Sequence, residues 1–123
     1  MMKNQSQLRY QSAYLAEQLI VDLLANGAYH WLDEVCLYCP DSSELISKST
    51  LIYLDEYPDE DEVGDDLFSA FVVDNNLELL CSGELFKDVL DNLQHQGAEL
   101  SVESIIAAAN FYLEHDNFIS IND

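Results

Sequence analysis

Positive charge is nearly missing from this sequence. Four Lys and Arg stand against 24 Asp and Glu, for a formal net charge of −20 over 123 residues. A chain so balanced is repelled at long range by nucleic acid and by anionic membranes, so neither is expected as a partner. A long apolar run is missing as well. The richest stretch, residues 15–24, is broken by Glu17, Gln18 and Asp22 and falls short of the roughly 18–20 residues that span a bilayer. No leader is expected, because Met1-Met2-Lys3-Asn4-Gln5-Ser6-Gln7 is polar and no apolar segment with a small-residue cleavage site follows. Cysteine is sparse and odd in number (Cys36, Cys39 and Cys81), which suits a reducing compartment better than a disulfide framework. A cytoplasmic protein is the expectation.

What is present is apolar. Hydrophobic residues make up 49% of the chain and aromatics 11%, enough to bury a core and to exclude disorder for most of the chain. At this length a single domain over 1–123 is expected. Residues 6–26 read as one amphipathic helix, with Leu8, Leu15, Leu19, Val21, Leu23 and Leu24 on its apolar face and Asn26-Gly27 as the stop. Trp31-Leu32 is expected to pack beneath a strand over 34–39, which Pro40-Asp41-Ser42-Ser43 ends with turn chemistry. The β-branched and aromatic content of 50–54 predicts a second strand.

Eight of the twelve residues in 55–66 are acidic, and with Pro58 and Gly64 they read as an exposed loop. A strand over 67–73, a hairpin turn at Asp74-Asn75-Asn76 and a returning strand over 77–81 follow. Ser82 is placed to cap a helix over 83–96 that stops at Gly97, and Ser101 one over 102–115. Phe118-Ile119-Ser120-Ile121 then closes as a short strand or an anchored tail. The order predicts an α+β fold: an antiparallel sheet of about four strands with three helices over one face.

Asn110-Phe111-Tyr112-x-x-x-Asp116-x-Phe118-Ile119 resembles the ending of a family of small acidic bacterial domains of unknown function. Trp31-Leu32 ahead of Leu37-Tyr38-x-Pro40, and Asp88-Val89 leading into Asn92 and Gln96, are similar to its earlier features. The resemblance covers roughly 25–121, leaves the first helix as an addition, and implies one compact domain with no catalytic residues to carry over. By type, the chain is also similar to the immunity proteins of contact-dependent growth inhibition. That likeness implies one cognate toxin, often a basic nuclease, whose active site is blocked.

The remaining motifs are weighed against plainer roles. Cys36-Leu37-Tyr38-Cys39 has redox or zinc spacing. On a strand, however, residues three apart point to opposite faces, so the two cysteines are expected as small buried hydrophobes. His30, His95 and His115 are scattered, and the last two fall at helix C-termini, where the dipole favours them without any chemistry. Asp59-x-Asp61-x-x-Gly64 opens like a calcium loop, but position twelve is Ala70 where a bidentate Glu is needed. No catalytic residue, metal site or cofactor is expected, and the protein is not expected to be an enzyme.

An acidic binding surface remains. Its expected members are Tyr53, Asp55, Glu56, Tyr57, Asp59, Glu60, Asp61, Glu62, Asp65 and Asp66. Carboxylates steer a basic partner and the tyrosines anchor it. The net charge also exceeds the magnitude of about 2–8 that solubility asks of a small domain. The expected function is an immunity protein or inhibitor that occludes a basic toxin, foremost a nuclease. The alternatives are a nucleic-acid mimic aimed at a DNA-processing or defence protein and, from another class, a small metal-dependent enzyme.

Overall fold

The long N-terminal helix is the first expectation to change. The computed structural model describes residues 11–26, 30–43 and 45–120, so Leu8 and Gly27 lie outside the described residues. Ala13–Leu15 is not helical but a short strand, β1. The helix, α1, covers Ala16–Asn26. No Gly or Pro separates the two, so the 3.6-residue apolar spacing runs across the boundary and hides it. The strand forms because β3 (Leu51–Asp55) offers it an edge, with Ala13 opposite Tyr53 and Leu15 opposite Leu51. Gln11 takes a left-handed φ of 61° and donates its N–H to the Leu54 carbonyl at 2.8 Å. The Gln18 side chain accepts from the Leu15 N–H at 2.9 Å, at the start of the helix. Leu19, Ile20 and Leu23 are buried, whereas Val21 is 52% exposed.

A 3-10 turn over His30–Glu34 buries Leu32 and half-buries Trp31 on the core beside β2 (Cys36–Cys39), as expected. After β3, the chain makes a two-stranded ribbon of β4 (Asp59–Glu60) and β5 (Asp66–Leu67). The strand expected over 67–73 is therefore cut short, because Ser69 caps a helix. Its side chain accepts from the Val72 N–H, and α2 runs over Ala70–Asp74. Asp74-Asn75-Asn76 closes that helix instead of turning a hairpin. Asn75 donates its side-chain amide to the Phe71 carbonyl at 2.8 Å, and Asn76 takes the left-handed φ of 55°. β6 (Glu78–Ser82) then completes an antiparallel sheet in the order β1-β3-β2-β6.

The last two helices form where their caps and spacing place them. Ser82 accepts from the Leu85 N–H at 3.1 Å and starts α3 (Gly83–His95). Phe86, Val89, Leu90 and Leu93 make its buried stripe. Gly97, at φ +78°, ends it, and a Cβ there would touch nothing within 4 Å, so conformation and not space calls for glycine. Ser101 and Ser104 cap each other reciprocally ahead of α4 (Val102–His115).

α1, α3 and α4 pack on one face of the sheet around Leu37, Ile52, Leu54, Leu90 and Ile105, as an α+β fold requires. The other face carries a smaller cluster of Cys36, Tyr38 and Val72, flanked by Tyr53, Phe68 and Leu77. α2 is thus a fourth helix, on the face expected to be bare. Residues 118–120 form no strand. Phe118 and Ile119 anchor the tail on the core, and Gln96 donates to the Ile119 carbonyl at 2.8 Å; Ile121 lies outside the described residues. Asn110 binds the Ile46 backbone twice, accepting its N–H at 2.8 Å and donating to its carbonyl at 2.9 Å. Phe111 is half-buried, and its ring centre lies 4.4 Å from that of His115.

Candidate interaction surface

The acidic segment begins inside the protein. Asp55 ends β3 with 1% of its surface exposed and is the one buried charged residue among those described. Its carboxylate accepts from the Ser69 hydroxyl and, at 3.5 Å, from the Gln11 side-chain amide. A carboxylate so buried and hydrogen-bonded is a structural tie and cannot face a partner. The expectation that Asp55 belongs to the binding surface is corrected on that ground. Tyr53 is also partly withdrawn, half-buried on the sheet face beneath α2 with its ring 5.8 Å from Phe71.

Beyond Asp55 the chain turns outward. The Glu56 carbonyl accepts from the Tyr38 hydroxyl at 2.7 Å, which leaves its carboxylate exposed. Burial, with the nearby Cys36 thiol and the Asp55 and Glu56 carboxylates, pushes the Tyr38 phenol well above its ordinary range. Tyr57 is 38% exposed. Its hydroxyl oxygen meets the Glu84 backbone N–H and the Ser82 side chain, and burial raises its pKa. Tyr57 thus stands beside the N-terminus of α3.

The expected loop is a ribbon with a defined turn. Asp59 stands opposite Leu67 and Glu60 opposite Asp66. At the tip, Asp61 Oδ1 accepts from the Val63 and Asp65 N–H groups at 3.0 and 2.9 Å. Gly64 sits at φ +89°, a conformation an L side chain rarely takes. Asp59, Glu60, Asp61, Glu62, Asp65 and Asp66 are all exposed, together with the apolar Val63 and Leu67. No cation answers them among the described residues. Lys48 pairs with Glu103 at 2.7 Å and Lys87 with Asp33 at 3.0 Å, both on other elements.

The chemistry-bearing residues are dispersed. Cys36 lies with Tyr38 and Val72 on the α2 side of the sheet, whereas Cys39 and Cys81 belong to the helix-side core. Strand alternation thus separates the pair of the C-x-x-C motif. Burial raises all three thiols, Cys36 to about 11 and Cys81 to about 12, which keeps them protonated and unreactive. His95 and His115 end α3 and α4, and the His30 side chain lies outside the described residues. No group of three or more metal-type ligands gathers among the described residues. An open hollow of about 230 Å³ beside Pro40, Leu45 and Leu51 holds one carboxylate, Asp41, whose pKa is lowered by hydrogen bonds from the Ser43 hydroxyl and N–H.

A family model described as a domain of unknown function, DUF7716, matches residues 17–121. The chain belongs to the DUF7716 family. No curated protein and no solved structure matches it. The DUF7716 match starts at the second residue of α1, so that helix is part of the domain and not the addition expected from the motifs alone. Asn110, the first residue of the C-terminal motif, is the one that clamps Ile46. No helix among the described residues is long and apolar enough to cross a membrane.

Proposed function

We propose that this DUF7716 protein is a cytoplasmic inhibitor, of the immunity-protein kind, that occludes a basic protein such as a nuclease toxin with its acidic ribbon. The observation that carries the reading is the β4–β5 ribbon itself. It presents six carboxylates to solvent, and both described lysines are engaged elsewhere. The arrangement works against stability, since Glu60 faces Asp66 across the ribbon and like charges so placed repel. A net charge of −20 is also more than solubility requires. Exposed Val63 and Leu67 supply apolar contact beside the charge. Carboxylates of this kind pair with the Lys and Arg that grip phosphate, and opposite charges steer association toward about 10⁸–10⁹ M⁻¹s⁻¹ at low salt. The likeness in type to contact-dependent growth inhibition immunity proteins, small acidic bacterial binders, supports the same reading.

One observation favours the nucleic-acid mimic as a second reading. Glu84, Asp88 and Asp91 form an exposed acidic line at i, i+4 and i+7 on α3, and Tyr57, just before the ribbon, stands beside its head. Acids then extend beyond one loop, as a mimic of spaced phosphates needs.

Titration against a metal-independent nuclease toxin encoded beside this gene tests the proposal. Nuclease activity is expected to fall to zero near one equivalent, with or without EDTA. Protection at a small fraction of an equivalent, or no binding at all, overturns it.

A further inference from the structure

The sheet has two edges, and they are unlike. β1 has three residues, whereas β6 has five, Glu-Leu-Leu-Cys-Ser. Among the described residues, β2 pairs one side of β6, no strand pairs the other, and no turn or loop backbone bonds to residues 78–81. Natural edges are usually blunted with Pro, Lys or an outward bulge. β6 contains neither Pro nor Lys; its one bulge, at Leu80, turns Leu80 and Cys81 onto the helix-side core and leaves Glu78 and Leu79 exposed along the edge. Leu79 stands opposite Tyr38, on the sheet face away from α1, α3 and α4, and is 37% exposed.

The surroundings set the chemistry of an occupant. Glu78, whose carboxylate accepts from the Ser42 N–H and hydroxyl, marks the start of β6, while Glu84 and Tyr57, at the base of the ribbon, lie at its end. Lys87, one turn into α3, is held by Asp33. A second copy of this chain is disfavoured, because pairing β6 with β6 brings two molecules of charge −20 edge to edge. We infer that the β6 edge takes up an extended, basic segment of a protein partner as an additional strand. Main-chain hydrogen bonds along the edge supply affinity, Leu79 contacts an apolar side chain, and Lys or Arg at the segment's end meets the ribbon. The sign of the partner's charge rests on the acidic-surface reading above, whereas the strand-addition geometry is independent of it.

An alternating Lys-Val octapeptide is a suitable probe, compared with its fully N-methylated counterpart, which keeps the charge and cannot donate to a strand. Amide NMR of the intact chain is expected to show perturbed Leu79, Leu80 and Cys81 resonances. Their exchange should be slowed about tenfold by the first peptide, and the second should bind at least about tenfold more weakly. Leu79→Lys, which blunts the edge at an exposed position, should weaken binding similarly. If that variant fails to fold, the comparison of the two peptides on the unaltered chain still decides. Equal binding of both peptides with shifts confined to residues 56–67 overturns strand addition and leaves the acidic surface standing. No binding of either peptide overturns both. Sedimentation showing a dimer that Leu79→Lys abolishes gives the edge to a second copy, against the inference.

Discussion

The β4–β5 ribbon and the α3–α4 pair are ordered by opposite means. The helices are capped by Ser82 and Ser101, stopped at Gly97 and Asp116, and fixed by buried apolar stripes. The ribbon buries almost nothing. Its order comes from the β4–β5 pairing, from the Asp61 turn and from Gly64, while its side chains repel one another. In one region sequence and stability agree. In the other, like charges such as Glu60 and Asp66 face each other across the ribbon, so charge and stability pull apart.

The largest separation of the two regions is expected from Phe86→Ala. Phe86 is buried on α3, and its truncation should destabilise the fold by about 3–5 kcal/mol in urea unfolding. A loss below about 1 kcal/mol would show that α3 is less central than its burial implies. Ser69→Ala comes next, because it removes both the α2 cap and the hydroxyl that satisfies buried Asp55. About 2–3 kcal/mol should be lost, with the Asp55→Asn change milder since an amide can still accept.

Alkali should act on the core. The Cys36 and Cys81 thiols ordinarily titrate at 9.0 and are held at about 11 and 12 in the fold. Because the folded pKa values are raised, the folded state holds protons that the unfolded chain releases. Their contribution is fully present below pH 9 and is lost as pH rises through 11 to 12. Urea midpoints measured from pH 7 to 11 should therefore decline only above about pH 9, and a decline beginning near neutrality would contradict the burial of these thiols. Smallest in stability is the combined change of Asp59, Glu60, Asp61 and Glu62 to Asn or Gln. Asn at 61 preserves the turn acceptor, so unfolding free energy should move by no more than about 0.5 kcal/mol. Association with a basic partner should nonetheless slow and lose its salt dependence in stopped-flow measurements. Unchanged association would move the interface off the ribbon.

The same contrast governs what was legible beforehand. α3 and α4 were readable because each has a Ser cap, an apolar spacing near 3.6 and a marked end, all local signals. The strand character of 34–39 and 50–54 was readable from β-branched and aromatic content. β1 was hidden because its strand state depends on an edge near Tyr53, about 40 residues later, while its own residues continue a helical pattern. α2 was read as strand from Phe71, Val72 and Val73, and the cap at Ser69 prevailed. The ribbon was read as acidic and exposed, and correctly so for 59–66. Charge composition did not reveal that Asp55 turns inward, since that depends on Ser69 and Gln11 being brought to it by tertiary structure.

The Asn110 clamp has a consequence for biosynthesis. Ile46 lies between β2 and β3, yet the side chain that satisfies its backbone N–H and carbonyl arrives 64 residues later on α4. A ribosome delivers every strand of the sheet before it delivers that amide, so the nascent chain carries the Ile46 N–H and carbonyl without their Asn110 partner while Ile105, Ala108 and Ala109 are still missing from the core. Ile46, buried in the finished fold, is then open to chaperones and proteases until α4 has emerged.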